Sequence, residues 1–214
     1  MTIQQMVMQL AGGMGISIQI FVVTLVVSLP LGLVIAFGRM SKNKVLQSIV
    51  KVYISVMRGT PLMLQLMVVY FGPYYLFGIR VGTSYRLWAT SIGFSINYAA
   101  YFAEIFRGGL LAVGQGQFEA AQVLGLSSRQ TVLHIVIPQM LRVAMPSVSN
   151  ETITLVKDTS LMFTLAVPEV LQYAKSAVSS TGQTFPYVVA GIIYLVMNAV
   201  VTALLRRIEK KLEY

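Results

Sequence analysis

Residues 13–38 read GMGISIQIFVVTLVVSLPLGLVIAFG, 26 residues without one charged side chain. The hydrocarbon core of a bilayer is ~30 Å thick, and about 20 apolar residues cross it as a helix. Inside lipid every backbone N–H and C=O has to be satisfied within the chain, so a continuous apolar run of this length is helical. Pro30 predicts a kink that neighbouring helices can accommodate. A cleaved signal peptide is the competing reading, but it needs a positive leading region and a short apolar stretch. The segment MTIQQMVMQLA ahead of the run carries no basic side chain, and the run is too long.

One anchor leaves most of the chain's apolar content unexplained. Of 214 residues, 56% are hydrophobic and only 11% charged, and mean hydropathy is +0.74. A soluble domain carries about 25% charged residues. The expectation is therefore an all-α membrane protein built as one domain, residues 1–214. Five spans are predicted, at about residues 13–38, 61–79, 87–106, 143–165 and 187–205, with a polar loop over residues 107–139. Tyr70, Tyr74, Tyr75 and Phe77 read as an interfacial aromatic belt at one end of the second span.

The net charge of +9 raises the question of nucleic acid, but the basic residues fall in blocks between apolar runs. There is no interleaving of basic and aromatic residues of the kind that binds single strands, and nucleic acid is rejected as a partner. The blocks instead set topology. With the loop after the first span in the cytoplasm, twelve Lys and Arg fall on that side. Only Arg80, Arg86, Lys157 and Lys175 fall on the other. The N-terminus is thus expected outside and the C-terminus inside. The chain has no cysteine, which removes disulfides and thiolate chemistry, and its one histidine, His134, has no convergent partners for metal or acid–base work. No catalytic residue and no metal site is expected.

The polar loop carries the most specific signal. It reads FEAAQVLGLSSRQTVLHIVIPQMLRVAMP, in which Glu119, Ala120, Ala121, Gly125, Ile135 and Pro138 keep the order EAA-x3-G-x9-I-x-I-P. Gly125 is a natural helix stop, and Ser127 or Ser128 is a natural N-cap with Gln130 near the third position. Pro138 is expected to end the second helix before the next span. The product is a helical hairpin with small side chains on one face, suited to close approach by another protein.

This segment resembles the EAA loop of permeases in binding-protein-dependent type I ABC importers, with Ile137 where leucine is usual. RGTPLMLQL (58–66), AAYFAEIFRGGL (99–110), GQGQFEAAQVLGLS (114–127), IPQMLRVAMPSVSN (137–150) and LVKDTSL (155–161) resemble the polar amino acid subfamily. The resemblance implies the permease fold and a bacterial inner-membrane, multi-pass location. Its expected partners are a second permease chain (identical or a close paralogue), an ATPase dimer carrying ATP and Mg, and an extracytoplasmic amino-acid-binding protein. It assigns ATPase coupling to Glu119, Ala120, Ala121, Gly125, Leu126, Ile135 and Pro138. The chain has no Gly-Lys dipeptide and so no G-x-x-x-x-G-K-[ST] phosphate loop, which leaves ATP hydrolysis to another chain.

Ionisable groups inside a span cost roughly 2.5–3.5 kcal/mol on insertion scales, so each calls for a partner or a role. Glu104 and Arg107, at i and i+3, read as a local ion pair. Asn97, Tyr98 and Tyr101 in the third span, with Asn150, Glu151 and Thr154 in the fourth, are the expected substrate pathway, with Glu151 the acid deepest in a span. A zwitterionic amino acid needs an acceptor for its ammonium and a donor for its carboxylate. A secondary transporter or channel is the main rival. Such folds are often built from internal repeats, and none is visible here.

Overall fold

A computed structural model describes residues 3–212, and among them the chain is helical with no strands. The first helix, α1 (Ile3–Arg39), runs through Pro30 and is about 55 Å long at 1.5 Å per residue. One seam of it is buried: Met6, Leu10, Gly13, Ser17, Ile20, Thr24, Ser28, Gly32 and Ala36, spaced three or four apart. Most are small, and small residues let helices in lipid approach closely. A Cβ on Gly32 would lie 2.8 Å from the Phe102 Cβ, so α1 and the helix that carries Phe102 are in backbone-level contact.

That helix, α4 (Tyr85–Ala112), is the centre of the bundle and packs against α1 and against the helices described next. Between α1 and α4 lie α2 (Lys44–Gly59) and α3 (Leu62–Phe77), bent 109° relative to each other at Thr60–Pro61. Asn43 caps α2 by accepting from the Val45 and Leu46 N–H groups, and Gly78, at φ +68°, closes α3.

After α4 come the short α5 (Gln115–Val123) and α6 (Ser128–Thr131), then a π-helical turn (Val132–Val136) that runs into α7 (Ile137–Asp158). A 3-10 turn (Thr159–Leu165), α8 (Val170–Thr181) and α9 (Phe185–Leu212) complete the chain. Glu169 is fully buried and caps α8, accepting from the Leu171 and Gln172 N–H groups at 2.7 Å each. It also accepts from the Tyr194 hydroxyl at 2.7 Å, which ties α8 to α9.

Two of these expectations need correction. Pro138 does not end a helix: it sits in the first turn of α7, inside a helical path that is continuous from Ser128 to Leu165. The π turn is the reason. The Ile137 N–H bonds the Val132 carbonyl five residues back, so the widened turn accommodates a residue that has no N–H of its own. Within the stretch expected as a polar loop over residues 107–139, α4 continues to Ala112 and the second hairpin helix begins at Ser128 behind its Ser127 cap, as expected. The expected second span also corresponds only to the 16-residue α3, whose partner α2 reads as loop in the sequence. Three described helical segments are both long and apolar enough to cross a membrane, residues 4–39, 128–165 and 185–211, and the bent α2–α3 pair makes at most a fourth. The 28-residue α4 is long enough but less apolar, because Asn97, Glu104 and three tyrosines dilute it.

Candidate functional site

The break between α2 and α3 is held by side chains from two other places. The Gln65 amide donates to the carbonyls of Met57 and Thr60 at 2.9 and 3.1 Å and to the Thr60 hydroxyl at 2.8 Å. Asn97, 3% exposed on α4, donates to the Met57 carbonyl at 3.0 Å and to Gln65 Oε1 at 2.9 Å. Both amides therefore serve the carbonyls left open where α2 stops, the groups that a helix end has to satisfy.

Against this clasp lies a polar cavity of about 380 Å³. Its walls are Thr60, Pro61 and Leu62 at the break, Asn97, Tyr98 and Tyr101 on α4, Glu151, Thr154 and Asp158 on α7, and Leu161 in the following turn. Ligand cavities run from about 300 to 1,000 Å³. Five of the six expected pathway residues thus line one space. The sixth, Asn150, is exposed and lies outside it; its carbonyl accepts the Thr154 hydroxyl at 3.1 Å. Tyr98, 1% exposed, donates to Asp158 Oδ2 at 2.7 Å across 60 residues of sequence. Glu151 makes no hydrogen bond or ion pair among the described residues.

Asp158 is not among the expected pathway residues, because Lys157 beside it reads as a local partner, whereas the bond it makes in the fold is with Tyr98. Arg58 is the other residue not expected there. Its guanidinium carbon lies 5.2 Å from the centre of the Tyr101 ring, so it rests on one wall of the cavity. Glu104 and Arg107, by contrast, pair as expected, with bonds of 2.7–3.1 Å, and are thereby taken out of the pathway.

The hairpin of α5 and α6 lies elsewhere. Its turn is built as the sequence predicts: Gly125 is left-handed at φ +72°, and the Leu126 N–H reaches back to the Ala121 carbonyl at 3.0 Å. Ser127 and Gln130 form a reciprocal capping box. Glu119 and Ala120 are exposed, Ala121 is buried, Leu126 and Ile135 are half-buried, and Pro138 is exposed. Val123 and Leu124, 88% and 75% exposed, leave the hairpin with an apolar tip. His134 donates from Nδ1 to the Gln130 carbonyl at 3.1 Å and only braces this turn.

Apolar helices around a charged cavity, with a capped hairpin beside them, are the construction of a membrane transport subunit. The chain belongs to the family described as binding-protein-dependent transport system inner membrane component, which it matches over residues 28–214. It is 35% identical over 202 residues to the arginine transport system permease protein ArtQ of Bacillus subtilis, covering 94% of this chain and 91% of that one. It is 35% identical over 207 residues to the histidine/lysine/arginine/ornithine transport system permease protein HisM of Escherichia coli, covering 93% and 87%. Among solved structures, one described as an amino acid ABC transporter with histidines superposes with a TM-score of 0.84 at 30% identity, over 95% of this chain and 94% of that one. The MetNI methionine ABC transporter superposes at 0.78 with 18% identity, over 99% of each chain, a likeness of fold.

Proposed function

We propose that this chain is the permease subunit of an ATP-driven importer that carries a polar amino acid into the cell by alternating access. The observation that carries the reading is the cavity between α4 and α7. It gathers two carboxyl groups and two tyrosines in one space between helices, in a family whose relatives above are named for amino acid transport. Ionisable groups in a membrane are costly and mark solute paths. The pathway is Asn97, Tyr98, Tyr101, Glu151 and Thr154, joined by Asp158, with Asn150 beside it.

Five spans, N-terminus out and C-terminus in, make one transmembrane domain in a bacterial inner membrane. The bend at Thr60–Pro61 and the polar α4 account for the two spans that hydropathy alone does not mark. The hairpin then lies in the cytoplasm and docks an ATPase dimer through Glu119, Ala120, Ala121, Gly125 and Leu126. Ile135 and Pro138 support it at the start of the long helix. ATP and Mg belong to that partner. A second permease chain, the same or a close paralogue, completes the path, and an extracytoplasmic binding protein delivers the solute.

Reconstitution tests this. The chain, co-expressed with its ATPase and receptor and placed in liposomes, should take up arginine, histidine or glutamine only with ATP. Uptake driven by an ion gradient in the absence of the ATPase would refute it.

A further inference from the structure

The cavity described above has two acids on its α7 wall and, over the ring of Tyr101 on its α4 wall, a cation with no hydrogen bond or ion pair among the described residues. Arg58 is in the last turn of α2, exposed, and makes no hydrogen bond or ion pair among the described residues. Its guanidinium is nevertheless placed, because it lies over the Tyr101 ring at 5.2 Å. The same tyrosine lines the cavity, together with Thr60 and Pro61, which follow Arg58 in sequence by two and three residues. The Asn97–Gln65 clasp holds the Met57 carbonyl, one residue before Arg58, so the backbone that carries the guanidinium is anchored to α4.

We infer that Arg58 is a specificity residue of the transport path: its guanidinium receives the α-carboxylate of the amino acid, while the Glu151–Asp158 wall receives the ammonium. The inference rests on the reading of this cavity as the substrate path. Guanidinium presents a planar fork of N–H groups that matches a carboxylate with two parallel bonds, and it stays charged at any working pH. Its contact with Tyr101 engages no N–H group in a hydrogen bond, so the fork stays available. A cation over Tyr101 together with the acids of α7 matches a zwitterion. A neutral solute would leave both ends unpaired, which is the strongest form of rejection a polar site can exert.

The rival role for Arg58 is a gate that closes by pairing with Glu151. The two roles separate by the α-carboxylate. The assembled permease–ATPase complex, in nanodiscs without the receptor, is titrated calorimetrically with L-arginine and L-glutamine and with their α-amides, which keep every group except that carboxylate. Wild type should bind the acids roughly tenfold or more tighter than the amides, the range of a lost charge-assisted pair. Arg58→Gln should lose that discrimination by weakening the acids and leaving the amides unchanged, and Arg58→Lys should recover part of it. Unchanged discrimination in Arg58→Gln, or equal weakening of acids and amides, overturns the assignment while leaving the cavity as the path. Absence of binding of any probe to wild type overturns the cavity reading and this inference with it. Co-purification of the ATPase with each variant and an unchanged Tm establish that the variants are folded.

Discussion

Asn97→Ala and Asn97→Asp test whether the α2–α3 bend is held as described. The Met57 carbonyl can only accept, so the Asn97 nitrogen must face it, and its second hydrogen goes to Gln65 Oε1. Alanine removes both bonds. Met57 keeps the Gln65 amide, but Gln65 Oε1 is left with no partner among the described residues. Hydrogen bonds between helices in a membrane are worth about 0.6 kcal/mol on average and up to about 1.7, and the orphaned acceptor on half-buried Gln65 adds part of the about 1–3 kcal/mol that a buried one costs. The expected loss is about 2 kcal/mol. Aspartate is nearly isosteric with asparagine, yet it should do worse. It turns an oxygen toward two acceptors at 3.0 and 2.9 Å. Gln65 cannot turn over to help, because its nitrogen already serves Met57 and Thr60. A charged aspartate in a span also costs roughly 2.5–3.5 kcal/mol on insertion scales. Unfolding in mixed detergent micelles, followed by circular dichroism, measures stability; uptake by the reconstituted complex measures the consequence for the cavity. The order wild type, Asn97→Ala, Asn97→Asp is expected in both. An aspartate variant as stable as the alanine variant would refute the clasp.

On the hairpin, Glu119→Lys and Gly125→Asp should abolish ATPase pull-down and uptake while membrane insertion persists. Open space surrounds Gly125, so its variant acts through the added charge and not through a clash; aspartate is among the residues that tolerate the left-handed backbone best. Retention of both activities by both variants would end the docking assignment. For topology, Gln4→Cys, Ser128→Cys and Lys211→Cys in this cysteine-free chain are challenged with a membrane-impermeant maleimide. Only the first should react in intact cells, and external labelling at position 128 would contradict the orientation.

What was legible in the sequence follows from how local each interaction is. The apolar runs that become α1 and α9, the Gly125 stop, the Ser127–Gln130 box and the Glu104–Arg107 pair all rest on residues within a few positions of one another. The helix α2 was not legible, because Lys44, Lys51 and Arg58 interrupt its apolar residues and read as a charged connector. Once folded, those three share a stripe at i, i+7 and i+14, while Val50, Ile54 and Met57 face the bundle. The Pro138 outcome depends on a π turn that no residue preference marks. Asp158 and Arg58 owe their places to Tyr98 and Tyr101, neighbours across 60 and 43 positions, and nothing local announces such pairs. Both nevertheless lie inside stretches, LVKDTSL and RGTPLMLQL, that the resemblance had already singled out.

Uptake by Glu151→Gln tests most directly whether the cavity is the route taken by the substrate. Glutamine keeps the size and the hydrogen-bonding capacity of the side chain and removes its charge. On α7, Glu151 is an acid with no hydrogen bond or ion pair among the described residues, so a substrate ammonium is a natural counter-ion. The charge-assisted bond lost is worth on the order of 1.5–3 kcal/mol. Uptake by the complete reconstituted complex should therefore fall roughly tenfold or more for arginine and for glutamine alike, because both carry the α-ammonium. Wild-type uptake of both would contradict the account and leave Glu151 a packing residue.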